Sequence, residues 1–151
     1  MPSGETGGPV PAPGAGAAWL DDIGLVTLPC GARVRGRRLS DPASPADFAL
    51  VLASGPVPAW PHRRIRWPDF GIPADRDDAL DALREAHRRA RAGERVEAAC
   101  RGGVGRTGTA LAALAILDGL TPGEAVTWIR GGYHHGAIET PWQRRWLRHV
   151  R

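Results

Sequence analysis

The stretch from Cys100 to Gly108, CRGGVGRTG, places a thiol, four glycines and, at position 106, an arginine within one short segment. Immediately before it, RVEAA (residues 95–99) is a compact strand candidate, and RTGTALAALAILDGL after it reads as a helix buried on most sides. A tight loop between strand and helix turns its backbone N–H groups inward. Glycines at 102, 103 and 105 permit positive φ angles and close approach of main chain to a ligand, while the helix N-terminus adds a partial positive charge. Such a loop is an anion site. It suits the dianion of a phosphate monoester, with Arg106 able to hold two of its oxygens at once. The field that favours phosphate also favours a thiolate, so Cys100 is expected to be nucleophilic. A nucleophile inside an anion cradle implies group transfer. A purely structural cysteine would leave the arginine and the glycine density unexplained. A nucleotide-binding GxxxxGK[ST] loop can be aligned from Gly103 to Gly108, but it fails at Thr109, where the lysine is required.

CRGGVGRTG resembles the CxxGxxR[ST]G signature of the protein tyrosine phosphatase superfamily, the cysteine-based phosphatases with tyrosine-specific and dual-specificity members, and is most similar to its compact bacterial members. The resemblance implies that Cys100 attacks phosphorus to give a phosphocysteine. Arg101, Gly102, Gly103, Val104, Gly105 and Arg106 would surround the phosphoryl oxygens, and Thr107 would stabilise the thiolate as it leaves. It also requires a general acid on a separate mobile loop. RWPDFGIP (residues 66–73) looks like the family's WPD loop, with Asp69 in the acid position about thirty residues before the cysteine. An ester oxygen departing from phosphorus needs a proton, and a carboxyl group on a closing loop supplies one, then acts as base on the attacking water. AIETPWQRRWL (residues 137–147) is similar to the segment whose glutamine positions that water, which singles out Gln143; its alternative is a solvated polar residue on the last helix.

One position departs from the pattern: the family usually carries His directly before the cysteine, and this chain has Ala99, which removes a hydrogen-bonding contribution to loop and thiolate. No segment is identifiable as the tyrosine-recognition loop. The expected activity is hydrolysis of phosphotyrosine or, with dual specificity, of phosphoprotein. Alternatives are the same chemistry on a small phosphorylated metabolite such as an inositol phosphate or nucleotide, and a phosphate-binding module without turnover. Arg101 would contact a second phosphate or an acidic flank, or else point to solvent.

These residues need elements to hold them. IGLVTL and ARVRGRRL read as two strands around a turn at 29–31, DFALVLAS as a buried strand or, capped by Ser44 and Pro45, as the start of a helix, and RRIRW as another strand ending at Pro68. A helix follows Pro73, with Asp75, Asp77 and Asp78 at its positive end, His87 on its packed face and Gly93 as its stop. Thr121 with Glu124 forms a capping box for the next helix, and the last begins near Glu139 or Thr140 with Pro141 in its first turn. Strands alternating with helices predict an α/β domain with a central, mostly parallel sheet flanked by helices, the phosphatase (CX5R) fold, over residues 19–151. Residues 1–18 are Gly, Pro and Ala rich and are expected to be disordered.

Composition narrows the rest. A chain of 151 residues suits one domain and one core, and a monomer is expected. Cys30 and Cys100 form neither a disulfide framework nor a metal pattern, so free thiols in a reducing cytoplasm are expected, with Cys30 a conceivable redox partner for the nucleophile. No apolar run approaches a membrane span, no export signal is evident, and no cofactor or metal is implied. All 20 basic residues are arginine, for a net charge of +4, but they are scattered and not interleaved with aromatics, so nucleic acid is not the expected partner. His134 and His135 are adjacent on a glycine-rich turn without a third metal ligand at helical spacing, Tyr133 is placed at the site rim, and Trp19, Trp60, Trp128, Trp142 and Trp146 are expected in the core.

Overall fold

The computed structural model describes residues 18–151; the segment expected to be disordered lies outside the described residues except for Ala18. Five strands, β1 (Leu25–Thr27), β2 (Arg33–Arg38), β3 (Phe48–Val51), β4 (His62–Arg64) and β5 (Val96–Cys100), form one sheet in the order β1-β2-β5-β3-β4. Only the β1–β2 hairpin is antiparallel; β2, β5, β3 and β4 run parallel. The central strands β3 and β5 are buried at every residue, which is why they read as continuous apolar runs and not as alternating ones.

Four helices flank the sheet: α1 (Arg76–Arg91), α2 (Gly105–Leu117), α3 (Pro122–Gly132) and α4 (Pro141–Trp146), the last running into a 3-10 turn at Leu147–His149. Each boundary has a local cause. Asp75 caps α1 by accepting from Asp78 N at 3.1 Å, and Gly93, at φ +94°, takes the chain out of it. Thr121 with Glu124 and Thr140 with Gln143 form the capping boxes of α3 and α4. The alanines of α2 keep it slim, so it packs between sheet and α3 with Leu111 and Leu114 fully buried beside Val34, Leu50 and Ala98.

The register of β5 fixes the site. Cys100 is its last residue, opposite Arg38 of β2, and the pairing continues through Leu39 N to Cys100 O at 3.0 Å and Leu52 N to Ala99 O at 2.8 Å. The thiol thus stands at the carboxyl end of a strand held on both sides, where parallel sheets open their ligand crevices.

The tryptophans depart from expectation. Trp146 is buried against Trp67, ring centroids 5.6 Å apart, but Trp142 is 50 % exposed and Trp19, Trp60 and Trp128 are only partly covered. Their indole N–H groups need acceptors, which draws them to the periphery. Trp60 donates to Glu97 at 2.8 Å, Trp19 to Arg33 O at 3.1 Å and Trp128 to Thr27 O at 3.1 Å. Glu97 itself, an inward carboxylate of β5, is satisfied by the guanidinium groups of Arg35 at 2.6 Å and Arg37 at 2.7 Å.

Candidate active site

Cys100 is 2 % exposed, and its sulfur accepts from Gly103 N at 3.2 Å and from the hydroxyl of Thr107 at 3.0 Å. Donors aimed at sulfur stabilise it as an anion. Of the three loop glycines, only Gly103 adopts positive φ, +70°, and a Cβ there would meet Arg38 N at 2.8 Å and Arg37 C at 2.9 Å. Gly105 serves differently: a Cβ at that position would stand 1.9 Å from the Glu139 carboxylate, which occupies the space beside the first residue of α2. A Cβ at Gly102 would meet nothing within 4 Å, so that side of the loop is open. Val104, the N-cap of α2, provides no side-chain cap, so the first N–H groups of the helix are not consumed by one.

Arg106 is 5 % exposed. Its Nη1 donates to the carbonyls of Leu52 at 3.0 Å and Trp67 at 2.8 Å, and its Nη2 lies 3.4 Å from Asp69 Oδ1, whereas Nε has no partner. The carbonyls orient the guanidinium from one side. The Nε–Nη2 edge, the side-on fork that grips two oxygens of one phosphate, holds only the long contact to Asp69.

The loop carrying Asp69 is closed on itself by Ala74 N to Arg66 O at 2.8 Å and Gly71 N to Pro68 O at 3.0 Å, with Phe70 at φ +59°. Buried Trp67 anchors it, donating from Nε1 to Gly71 O at 2.8 Å. From the far side α4 holds the same loop: Trp142 Nε1 donates to Phe70 O at 2.5 Å, and Gln143 Nε2 to Gly71 O at 3.1 Å. Gln143 is fully buried, not the solvated residue of the alternative reading. Its Oε1 accepts from Glu139 N at 2.9 Å and Thr140 N at 3.3 Å, so the amide is already engaged in cap and loop.

Two supports of the site escaped the sequence reading. The Tyr133 hydroxyl, placed only at the rim, donates to the carbonyl of Gly103 and so holds the Cys100–Arg106 loop directly. Burial, reinforced by the charges of Cys100 and Asp41, pushes this hydroxyl above the ordinary tyrosine range, so it stays a donor. Gly36 of β2 makes room for it, since a Cβ there would meet the Tyr133 ring at 2.7 Å. The other support is Trp142, whose indole donor had no sequence signal beyond its place before Gln143.

Asp69, Arg101 and Arg106 line one cavity of about 410 Å³. Cys30 does not join them. Its N–H donates to Asp118, the C-cap of α2, at 2.7 Å, whereas Cys100 precedes that helix, so the thiols lie roughly 20 Å apart by helix length and cannot pair. His87 packs as expected, its Nε2 2.9 Å from Asp118. His134 and His135 stack at 4.8 Å, both exposed, and no group of three metal-ligating side chains occurs among the described residues. Among the described residues no helix is long and apolar enough to cross a membrane.

A mostly parallel sheet with a strand-end cysteine, a glycine loop and a buried arginine defines a class, and comparison with known proteins agrees. The family model "Protein-tyrosine phosphatase" matches residues 59–130. The crystal structure of Tk-PTP in its active form is similar at 30 % identity over 70 % of this chain and 78 % of that one, with a TM-score of 0.61. Kinase associated phosphatase, with its catalytic-site cysteine changed to serine, shares the fold at 16 % identity, 85 % and 93 % coverage and a TM-score of 0.64. PTPMT1 in complex with PI(5)P shares it at 18 % identity, 70 % and 76 % coverage and a TM-score of 0.55. No curated protein matches the chain. The chain belongs to the cysteine-based protein tyrosine phosphatase superfamily and is a protein-tyrosine-phosphatase-like hydrolase.

Proposed function

We propose that the protein hydrolyses phosphomonoesters through a phosphocysteine, with phosphotyrosine or, by dual specificity, phosphoprotein as substrate. The observation that carries this reading is Arg106, buried, oriented by two carbonyls and left with an unpartnered Nε beside the loop that points Gly103 N and the Thr107 hydroxyl at the Cys100 sulfur. In the first step the Cys100 thiolate attacks phosphorus. The P–O ester bond breaks and Asp69 gives its proton to the departing oxygen. In the second, water attacks phosphorus, Asp69 takes the proton, and the P–S bond breaks to release inorganic phosphate and the thiolate. Thr107 and Gly103 stabilise that thiolate at both ends of the cycle. In our reading Gln143 first keeps Asp69's loop closed, since its oxygen and one N–H are engaged. Its remaining N–H is what it can offer to water.

A second reading keeps the chemistry and takes a small phosphorylated compound. It is favoured by Arg101 at the cavity wall and by the PI(5)P bound to PTPMT1, a protein of the same fold. The test is a panel of aryl phosphates, phosphopeptides and phosphorylated metabolites, with Cys100→Ser as control. Full hydrolysis by the serine variant would refute the phosphocysteine.

A further inference from the structure

Arginine is abundant in this chain, and eight of the twenty are ion-paired among the described residues. Arg63 pairs with Asp78, Asp81 and Glu85 of α1, Arg95 with Asp47, and Arg35 and Arg37 with Glu97. Beside Arg106, three arginines without an ion pair gather around one cavity. Arg64, Arg66 and Arg101 line it together with Arg106, and Asp69 is the one carboxylate in its wall. Among the described residues, the side chains of Arg66 and Arg101 make no ion pair or hydrogen bond. Arg64 is held only by the carbonyls of Ala53 and, at 2.9 Å, Gly55. Asp75 and Asp78 border Arg64 and Arg66 on the outer side but are occupied, Asp75 capping α1 and Asp78 pairing with Arg63.

Uncompensated guanidinium groups around one cavity repel each other and concentrate anions there. A scissile phosphate dianion is matched by Arg106 and the phosphate loop, which leaves three further cations. We propose that Arg64, Arg66 and Arg101 form a second-phosphate subsite, and that the substrate is a compact bisphosphate carrying two phosphate esters on one small ring, free or as a lipid headgroup. This rests on the phosphocysteine reading above and names its substrate class. Three forked guanidinium groups suit the several oxygens of a phosphate better than the two of a carboxylate. A volume of about 410 Å³ is in the range of small-molecule sites.

The test compares kcat/KM for a soluble inositol bisphosphate, the corresponding monophosphate, an aryl phosphate, an acidic phosphotyrosyl peptide, and phosphatidylcholine vesicles doped with a phosphatidylinositol bisphosphate. The wild type is run beside Arg66→Glu and Arg148→Glu, the second making the same charge change at an exposed position outside the cavity. The bisphosphate is expected to exceed the monophosphate by roughly tenfold to a hundredfold, and Arg66→Glu to collapse that ratio toward unity while Arg148→Glu leaves it in place. Turnover in solution assigns the subsite to the free compound, and turnover on vesicles alone to the headgroup; either upholds it. A ratio near unity in the wild type, a ratio indifferent to Arg66→Glu, or preference for the acidic peptide would overturn the subsite while aryl phosphate turnover leaves the parent reading standing. No turnover of any substrate would remove both.

Discussion

Arg106 and Asp69 meet across the mouth of the site, with Nη2 3.4 Å from Oδ1, so the proposed phosphate-binding group and the proposed acid are in contact before substrate arrives. In the proposed reaction this contact would hold the carboxyl group near the ester oxygen of a phosphate gripped by the same guanidinium. Replacing Asp69 with Asn removes the proton and keeps the shape. Hydrolysis of alkyl phosphates should fall by roughly a hundredfold or more, and hydrolysis of activated aryl phosphates much less, because a good leaving group needs no acid. A rate loss independent of leaving-group pKa would deny Asp69 that role.

The Thr107 hydroxyl, 3.0 Å from the Cys100 sulfur, is expected to matter most when the thiolate leaves. Thr107→Ala should slow steady-state turnover by about fivefold, the worth of one hydrogen bond. The initial burst of leaving group should persist, and Thr107→Ser should restore turnover. Stopped-flow measurement with an aryl phosphate separates the two phases.

The Asp69 loop is tied to α4 through Trp142 and Gln143. Trp142→Phe keeps an aromatic ring and removes the indole donor to Phe70 O. A lost hydrogen bond of about 1 kcal/mol shifts loop population by about fivefold. The expected signature is a lower kcat on alkyl phosphates with little change on activated aryl phosphates, the Asp69 pattern in weaker form.

Tyr133→Phe tests the hold on the phosphate loop. Without its bond to the Gly103 carbonyl, the loop is expected to bind inorganic phosphate or vanadate about fivefold more weakly, read as an increased inhibition constant. Gly36→Ala, which drives a methyl into the Tyr133 ring, should reproduce that effect and lower thermal stability as well.

Asp47 supplies a pH test of the fold. The Arg95 guanidinium holds its carboxyl below the usual aspartate range against the opposing effect of burial, and Arg95 N adds a hydrogen bond at 2.7 Å. A depressed carboxyl contributes stability above its unfolded value of about 3.9 and loses it as pH falls through the lower folded value. Wild type should therefore exceed Asp47→Asn in urea stability at neutral pH, and the gap should close in acid. A gap constant with pH would mean that the ionised pair contributes nothing.

Much of the fold was legible because its signals are local. The strand before Cys100, the acidic start of α1, the Thr121–Glu124 capping box, the start of α4 at Pro141 and the hairpin near Gly31 follow from neighbouring residues, and the structure places each where the pattern does. The turn from Cys100 into α2 was legible for the same reason, since thiol, glycines and arginine are contiguous. Supports that act across sequence were not. Nothing in a run of letters shows that Gly36 clears a path for Tyr133, that Trp142 reaches Phe70, or that Gln143 is enclosed between cap and loop. The tryptophans misled because hydrophobic size implies a core, while the indole N–H draws most of them to an edge where an acceptor waits.

The central claim is a covalent phosphocysteine at Cys100, and rapid-quench single-turnover kinetics with a radiolabelled aryl phosphate tests it most directly. The account predicts a burst of leaving group stoichiometric with enzyme, label bound to protein that builds up further in Thr107→Ala, and neither in Cys100→Ser. Turnover with no burst and no bound label in any variant, or with label retained in Cys100→Ser, would contradict it.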